Sequence, residues 1–319
     1  DFARQPLLPG NLSQLGPGVT WTDLDGDGWE DLVIGTGRSG SVAAFKNTGK
    51  GSFRRLDEPP FQRPVSRDVT TLLPFRDMLL VGSSNWEDGQ TNGGALRLYD
   101  QVSKRSGEAV LGVPFSVGPL AAADVDGDGE LEIFVGGRAV PGRWPEPATS
   151  LLLKNVGGRL TIHRRFEALG RISGACFTDL QGDGHPGLAL AGEWGPILLF
   201  RNEGGQLVAW DPPVIVRGTR MPLSAMAGLW TGITAGDFDG DGRMDLVAGN
   251  WGWNNRYTGA MGAAMGAMGA MACCGGEIGA AATAPKSGAA AIAAVPWTCS
   301  FSRGGSSATV MPPPCERSA

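Results

Sequence analysis

The chain has 319 residues, 42% of them apolar, and a formal net charge of −5. This length is enough to bury a sizeable core, and the acidic balance argues against a nucleic-acid-binding protein, which would normally carry a basic face. No apolar run approaches the roughly 18 residues of a membrane-spanning helix, so we expect no membrane insertion by this segment.

Five segments of the chain contain an apolar run that closes on glycine, and they recur at a nearly constant interval. The closing glycines are 47, 54, 56 and 57 residues apart, and they are Gly35, Gly82, Gly136, Gly192 and Gly249. A short apolar strand with a turn signal follows each of the first four, as in Ala44-Phe-Lys-Asn-Thr-Gly49. A repeat of about fifty residues with short strands predicts an all-β fold, a β-propeller of four-stranded blades. A β-sandwich with accidental similarity is the alternative.

Three of the five segments begin with an acidic loop of the form Asp-x-Asp-Gly-Asp-Gly-x-x-(Asp/Glu). Calcium takes about six to eight oxygen ligands from carboxylates and backbone carbonyls, so we expect one Ca²⁺ in each loop. The predicted ligands in the first loop are Asp23, Asp25, Asp27, the Trp29 carbonyl and Asp31. Those in the second loop are Asp124, Asp126, Asp128, the Glu130 carbonyl and Glu132. Those in the third are Asp237, Asp239, Asp241, the Arg243 carbonyl and Asp245.

Two alternatives to this interpretation are an EF-hand and a plain hairpin turn. An EF-hand needs a glutamate at the twelfth position between two helices, but Ile34, Val135 and Ala248 stand there, each within a β-like run. A plain Asp/Gly turn does not explain why four carboxylates, which repel one another without a cation, recur within nine residues. Calcium binding therefore remains the favoured interpretation.

The other two segments depart from this pattern. In the fourth, Gln181 replaces an aspartate and Gly187 replaces the last carboxylate. We therefore expect weak calcium binding or none from its remaining candidate ligands, which are Asp179, Gln181 and Asp183. The second segment, from Thr71 to Gly82, keeps the apolar run and has lost the acidic loop.

The acidic loop, the apolar run and the closing glycine together resemble the FG-GAP or VCBS repeat, as in the N-terminal propeller of the integrin α subunit. The resemblance covers roughly residues 15–257. Residues 135–146 and 236–257 further resemble the bacterial VCBS-repeat proteins related to the ASPIC/UnbV and cartilage acidic protein group. The resemblance implies a secreted, periplasmic or cell-surface protein, adhesion or ligand binding, and usually a seven-bladed ring. Five visible units leave the closure of that ring open.

Tryptophans recur just after the closing glycines. Because the acidic loop precedes the apolar strand and the tryptophan follows it, we expect calcium on one face of the propeller and the tryptophans on the other. Such a surface suits a glycan or protein ligand; the alternative is that these tryptophans pack between blades. The predicted ligand-binding residues are Trp86, Arg138, Arg143, Trp144, Trp194, Asn250, Trp251, Trp253 and Asn254.

The sequence thus predicts a calcium-stabilised extracellular binding or adhesion module over residues 1–257. The alternative function is a carbohydrate-active enzyme, a lyase or hydrolase, on the same scaffold. No catalytic residue is assigned, because the candidates Glu193 and Asp88 are isolated in the sequence. Residues 258–319 are rich in glycine and alanine and nearly devoid of charge. We predict a low-complexity tail there, either a disordered linker or the product of a shifted reading frame.

Overall fold

The computed structural model describes residues 1–12, 15–110, 112–216 and 218–251, together with the backbone of residues 270–274 and 277–279. These residues form mostly antiparallel β-strands, with one short 3₁₀-helix at Leu223–Ala225. Within this part of the chain, no helix has the length and apolar character needed to cross a bilayer.

Four successive units are antiparallel meanders of four strands each. Unit one contains β1 (Val19–Thr22), β2 (Asp31–Ile34), β3 (Ala43–Asn47) and β4 (Phe53–Leu56). Unit two contains β5 (Val69–Phe75), β6 (Met78–Ser83), β7 (Leu96–Asp100) and β8 (Arg105–Glu108). Unit three contains β9 (Ser116–Ala123), β10 (Glu132–Ala139), β11 (Ser150–Val156) and β12 (Arg159–Phe166). Unit four contains β13 (Arg171–Thr178), β14 (Gly187–Gly195), β15 (Ile197–Glu203) and β16 (Gln206–Trp210).

A fifth unit follows a small hairpin of β17 (Pro213–Val216) and β18 (Thr219–Pro222). Its strands are β19 (Gly228–Gly236), β20 (Asp245–Asn250), β21 (Ala270–Cys274) and β22 (Glu277–Gly279). Strand β21 pairs with β20, and β22 pairs with β21 and, in parallel, with β17. Eight residues of the predicted tail are therefore in strands. The rest of residues 252–319, including Trp253 and Asn254, lies outside the described residues, so the predictions made for them stay predictions.

The core lies between units, because the second strands of units two, three and four bury both of their faces. Leu79 and Val81 of β6 pack toward unit one, while Leu80 between them packs toward unit three. Side chains alternate across a strand, so a strand buried on both faces must be apolar at every position. The uninterrupted apolar run that repeats along the sequence is this second strand.

The first strands of successive units lie side by side, β1 next to β5, then β9, β13 and β19. Gly82 shows why its apolar run closes on glycine: a Cβ atom there would lie 2.6 Å from Val117 Cγ1 of the next unit. Blades stacked through their faces, with their first strands adjacent, are the arrangement of a propeller. The predicted all-β fold of four-stranded blades is confirmed, including the second unit without an acidic loop. A ring of seven blades stays a prediction.

Candidate functional site

The acidic loops occupy the same connection in every unit that has one, between the first strand and the second. Each loop is numbered here by its unit. Loop one spans residues 23–30, loop three 124–131, loop four 179–186 and loop five 237–244. In unit two a two-residue turn, Arg76 and Asp77, joins β5 to β6 instead. Because the units repeat the same strand order, the loops all emerge at one end of the blades.

The first aspartate of each loop binds the backbone of its own loop. In loop one, Asp23 Oδ1 accepts a hydrogen bond from the Gly26 amide and Oδ2 accepts one from the Gly28 amide, both at 2.8 Å. The turn places these glycines at φ values of 78° and 87°, which glycine adopts without steric cost. The equivalent bonds recur at Asp124, Asp179 and Asp237.

Loop four has this turn although it lacks the last carboxylate. Burial alone would raise the pKa of Asp179, but hydrogen bonds from the amides of Gly184, Gly182 and two neighbouring residues outweigh burial and lower it. The first aspartate, the glycines and Asp183, whose Oδ1 accepts a hydrogen bond from the His185 amide at 2.9 Å, therefore build the loop without the last carboxylate. Any metal site depends on the carboxylates added to that turn.

The last carboxylate of the other three loops is buried at the start of the second strand. Asp31, Glu132 and Asp245 have at most 2% of their surface exposed. Each accepts a hydrogen bond from the amide that follows the first aspartate of its loop, at 2.8–3.0 Å. Asp31 also accepts one from the Asn47 amide at 2.7 Å, but burial prevails and raises the pKa of Asp31.

Three predicted ligands converge in each of these loops, with carboxylate oxygens within 4.8 Å of one another. The three groups are Asp23, Asp25 and Asp27; Asp124, Asp126 and Glu132; and Asp237, Asp239 and Asp245. The remaining predicted side-chain ligands, Asp31, Asp128 and Asp241, are not among these converging oxygens. The predicted carbonyl ligands Trp29, Glu130 and Arg243 stay predictions.

Loops one and three are each contacted by a lysine that was not among the predicted site residues. Lys46 on β3 binds Asp25 and also Asp27, at 3.0 Å. Lys154 on β11 binds Asp126 and also Asp128 and Glu132, at 2.8 and 3.4 Å. Hydrogen bonds to these carboxylates raise the pKa of both lysines.

Loop five differs from the other two in its cation contacts. Arg243, within the loop, donates to Asp241 Oδ2 from Nε and Nη2, at 3.0 and 2.7 Å. No lysine or arginine pairs with Asp237, Asp239 or Asp245 among the described residues. Within those residues Asp245 Oδ1 is buried without a hydrogen-bond partner. Loop five therefore retains the carboxylates and lacks the compensating lysine.

At the opposite end of the blades, Trp86 is fully buried. It packs against Ala139 and against Leu8 and Leu12 of the N-terminal segment. That segment is fixed in place by Gln5, whose Oε1 accepts a hydrogen bond from the Trp144 amide at 3.0 Å. The expectation that Trp86 contacts a ligand is corrected by this burial, because the N-terminal segment covers the ring.

The other predicted ligand residues at this end differ in exposure. Trp251 is 55% exposed, and its amide donates to the Leu229 carbonyl at 3.1 Å. Trp144, Trp194 and Asn250 are half-buried. Arg143 is exposed and pairs with Glu146 at 2.7 Å.

A charged cluster joins units three and four at the tryptophan end. Glu193 on β14 lies 3.6 Å from Arg171 Nη2 on β13 and 3.5 Å from Arg138 Nε on β10. Arg171 is 4% exposed, and its guanidinium carbon lies 5.0 Å from the centre of the Trp144 ring. Burial, and then the nearby Arg138, lower the pKa of Arg171, while Glu193 opposes them.

Comparison with known proteins finds a similar repeat family over part of the chain. The family model described as FG-GAP-like repeat matches residues 23–72 and 168–248, which include loops one, four and five. No curated protein matches the chain. Among solved structures, the N-terminal domain of Nup159 is similar at a TM-score of 0.41 and 9% identity, over 82% of this chain; the chain spans 62% of that domain's length.

The blades and the matched ranges together support a β-propeller repeat protein that is similar to FG-GAP-like repeats over residues 23–72 and 168–248. The relation to the bacterial ASPIC/UnbV group stays a prediction.

Proposed function

We propose that this chain is a calcium-stabilised extracellular binding module. Calcium bound by the acidic loops stabilises one end of the blades, and the other end presents a surface to a glycan or protein ligand. The observation that carries the calcium proposal is Asp245 Oδ1, a buried carboxylate oxygen without a hydrogen-bond partner among the described residues. Burying such an oxygen unpaired is costly, and a bound cation would supply the missing partner.

The donor set of loop five fits calcium, a hard cation that prefers carboxylate oxygens. Asp237, Asp239 and Asp245 would hold the ion, since their oxygens converge within 4.8 Å. The ion would neutralise their mutual repulsion. Extracellular modules bind calcium with a Kd of about 10⁻⁴–10⁻³ M, and we propose that this chain is one of them, at a secreted, periplasmic or cell-surface location.

The proposed ligand surface lies at the tryptophan end, on the side of units three to five. Trp251 supports this placement because its ring is more than half exposed. Arg138 is one-fifth exposed and adds a cation to the same end of the blades. Aromatic rings with a polar or charged neighbour suit amphipathic ligands such as sugars and peptides.

Thermal unfolding of the full chain tests the calcium proposal. A ligand that binds only the native state raises the free energy of unfolding by RT ln(1 + [L]/Kd), about 2.7 kcal/mol at a hundredfold excess over Kd. We expect millimolar calcium to raise the melting temperature relative to a chelator, and Asp239→Asn to lose most of that increase. Coincident melting curves of the parent in calcium and in chelator would contradict the proposal.

Retention on immobilised polysaccharides and peptides tests the ligand surface. We expect the parent chain to be retained by one class of polymer and Trp251→Ala to be retained less, although the parent and the variant should be equally stable. Turnover of a polymer instead of simple retention would favour the alternative, an enzyme on the same scaffold.

A further inference from the structure

Lys46 and Lys154 occupy the same place in two different units. In unit one, Leu32 on β2 is opposite Phe45 on β3, which sets Asp31 opposite Lys46 at the next register position. In unit three, Ile133 is likewise opposite Leu153, which sets Glu132 opposite Lys154. Each lysine is therefore the cross-strand neighbour of the last carboxylate of its acidic loop.

Each ammonium group lies among carboxylates that are predicted calcium ligands. An ammonium has three donors and no acceptor. Lys154 contacts three carboxylates of loop three, and Lys46 contacts two of loop one. A calcium ion entering either loop would have to displace the ammonium group or share carboxylates with it, and like charges at such distances repel.

Unit five has no lysine at this register position. Leu246 on β20 is opposite Cys273 on β21, so the residue opposite Asp245 is Cys274. The difference is encoded in the sequence. Asp245 Oδ1 has neither a hydrogen-bond partner nor an ion pair among the described residues, whereas Glu132 Oε1, which also lacks a hydrogen-bond partner, lies 3.4 Å from Lys154 Nζ. The three loops thus share their carboxylates and differ in the residue that the neighbouring strand supplies.

We propose that Lys46 and Lys154 are built-in counter-cations that weaken calcium binding by loops one and three, which leaves loop five as the calcium-selective loop. This inference rests on the proposed function. Where the sequence predicts three similar calcium sites, this inference gives one strong site and two weak ones. It also assigns the calcium specificity of each unit to a residue on its third strand, outside the acidic loop.

The test compares the full-length parent with Lys46→Met and Lys154→Met, in which a side chain of similar length carries no charge. Lys50→Met is the matched control, because Lys50 is exposed in unit one and forms no ion pair among the described residues. Calcium titration calorimetry counts the sites. Terbium luminescence excited through Trp29, a residue of loop one, reports the filling of that loop separately.

We expect the parent to show one strong calcium site, which Asp239→Asn removes. Because ion pairs with exposed carboxylates are individually weak and each lysine makes two of them, each lysine variant should bind calcium roughly tenfold more tightly at its own loop. Lys46→Met should also shift the Trp29-excited terbium midpoint to roughly tenfold lower concentration, and Lys50→Met should not shift it.

Two outcomes would overturn this inference and separate it from the proposed function. If the parent fills three equal sites and Lys46→Met leaves the terbium midpoint unchanged, calcium binding stands and the role of the lysines is wrong. If neither the parent nor any lysine variant takes up calcium at millimolar concentration, the proposed calcium function is wrong, and this inference fails with it.

Discussion

The two ends of the blades are built by different kinds of contact. At the acidic-loop end, each loop closes on itself through hydrogen bonds from amides three and five residues after Asp23 or its equivalents. At the tryptophan end, Trp86 is covered by Leu8 and Leu12, more than seventy residues earlier in the chain. One end is therefore assembled from local contacts that repeat, and the other from long-range contacts that occur once. In the absence of calcium, we therefore expect substitutions at the tryptophan end to lower the free energy of unfolding more than substitutions at the acidic-loop end.

The largest expected effect is that of Trp86→Ala. Truncating a fully buried tryptophan removes its packing and leaves a cavity, so the free energy of unfolding should fall by about 3–5 kcal/mol. Trp251→Ala at the same end is the matched control, and it should change stability by at most about 0.5 kcal/mol because its ring is mostly exposed. Urea unfolding measures both values. Equal losses would show that the N-terminal segment does not cover Trp86 in solution.

The next effect concerns the charged cluster between units three and four. Among the described residues, Glu193→Gln removes the one carboxylate that pairs with both Arg138 and Arg171. Leaving a buried guanidinium unpaired should cost about 3 kcal/mol of unfolding free energy. Glu146→Gln, which removes the exposed partner of Arg143, is the control and should cost less than about 1 kcal/mol. A Glu193→Gln variant as stable as this control would mean that the cluster contributes nothing to joining the units.

The smallest effect is expected at the acidic-loop end, and it depends on pH. Burial holds the pKa of Asp31 above its usual value, so the folded state retains this proton when the unfolded chain has released it. In chelator, the stability contributed by Asp31 should therefore fall as the pH rises from about 4 toward 7.

Asp31→Asn has no such titration, so it should gain stability relative to the parent over the same pH range. Parallel unfolding curves at several pH values measure the difference. A difference in the free energy of unfolding between the two proteins that stays constant with pH would contradict the raised pKa of Asp31.

This contrast between the ends explains what the sequence could predict. The unit repeat, the second unit without a loop and the carboxylates of loops one, three and five all follow from local patterns, and the structure brings three of the four predicted carboxylates of each loop together. Trp86 stands in an equally regular pattern, but its burial depends on a distant segment whose docking leaves no periodic signal.

Lys46 and Lys154 could be predicted only in part from the sequence. Both stand in the short strand that follows the closing glycine of their unit, and the Lys-Asn pair occurs there in units one and three, so the signal was present in the sequence. Its meaning required the pairing register of β2 with β3 and of β10 with β11. A residue's cross-strand neighbour is fixed by register, which the repeat spacing alone does not specify.

The most direct measurement is a crystal structure of the full chain grown in calcium, with anomalous scattering to locate the ions. We expect one strong peak in loop five, about 2.3–2.6 Å from oxygens of Asp237, Asp239 and Asp245, with Lys46 and Lys154 still bound to their carboxylates. Density for calcium in loops one and three but not in loop five, or in none of the three, would contradict a calcium-stabilised module centred on loop five.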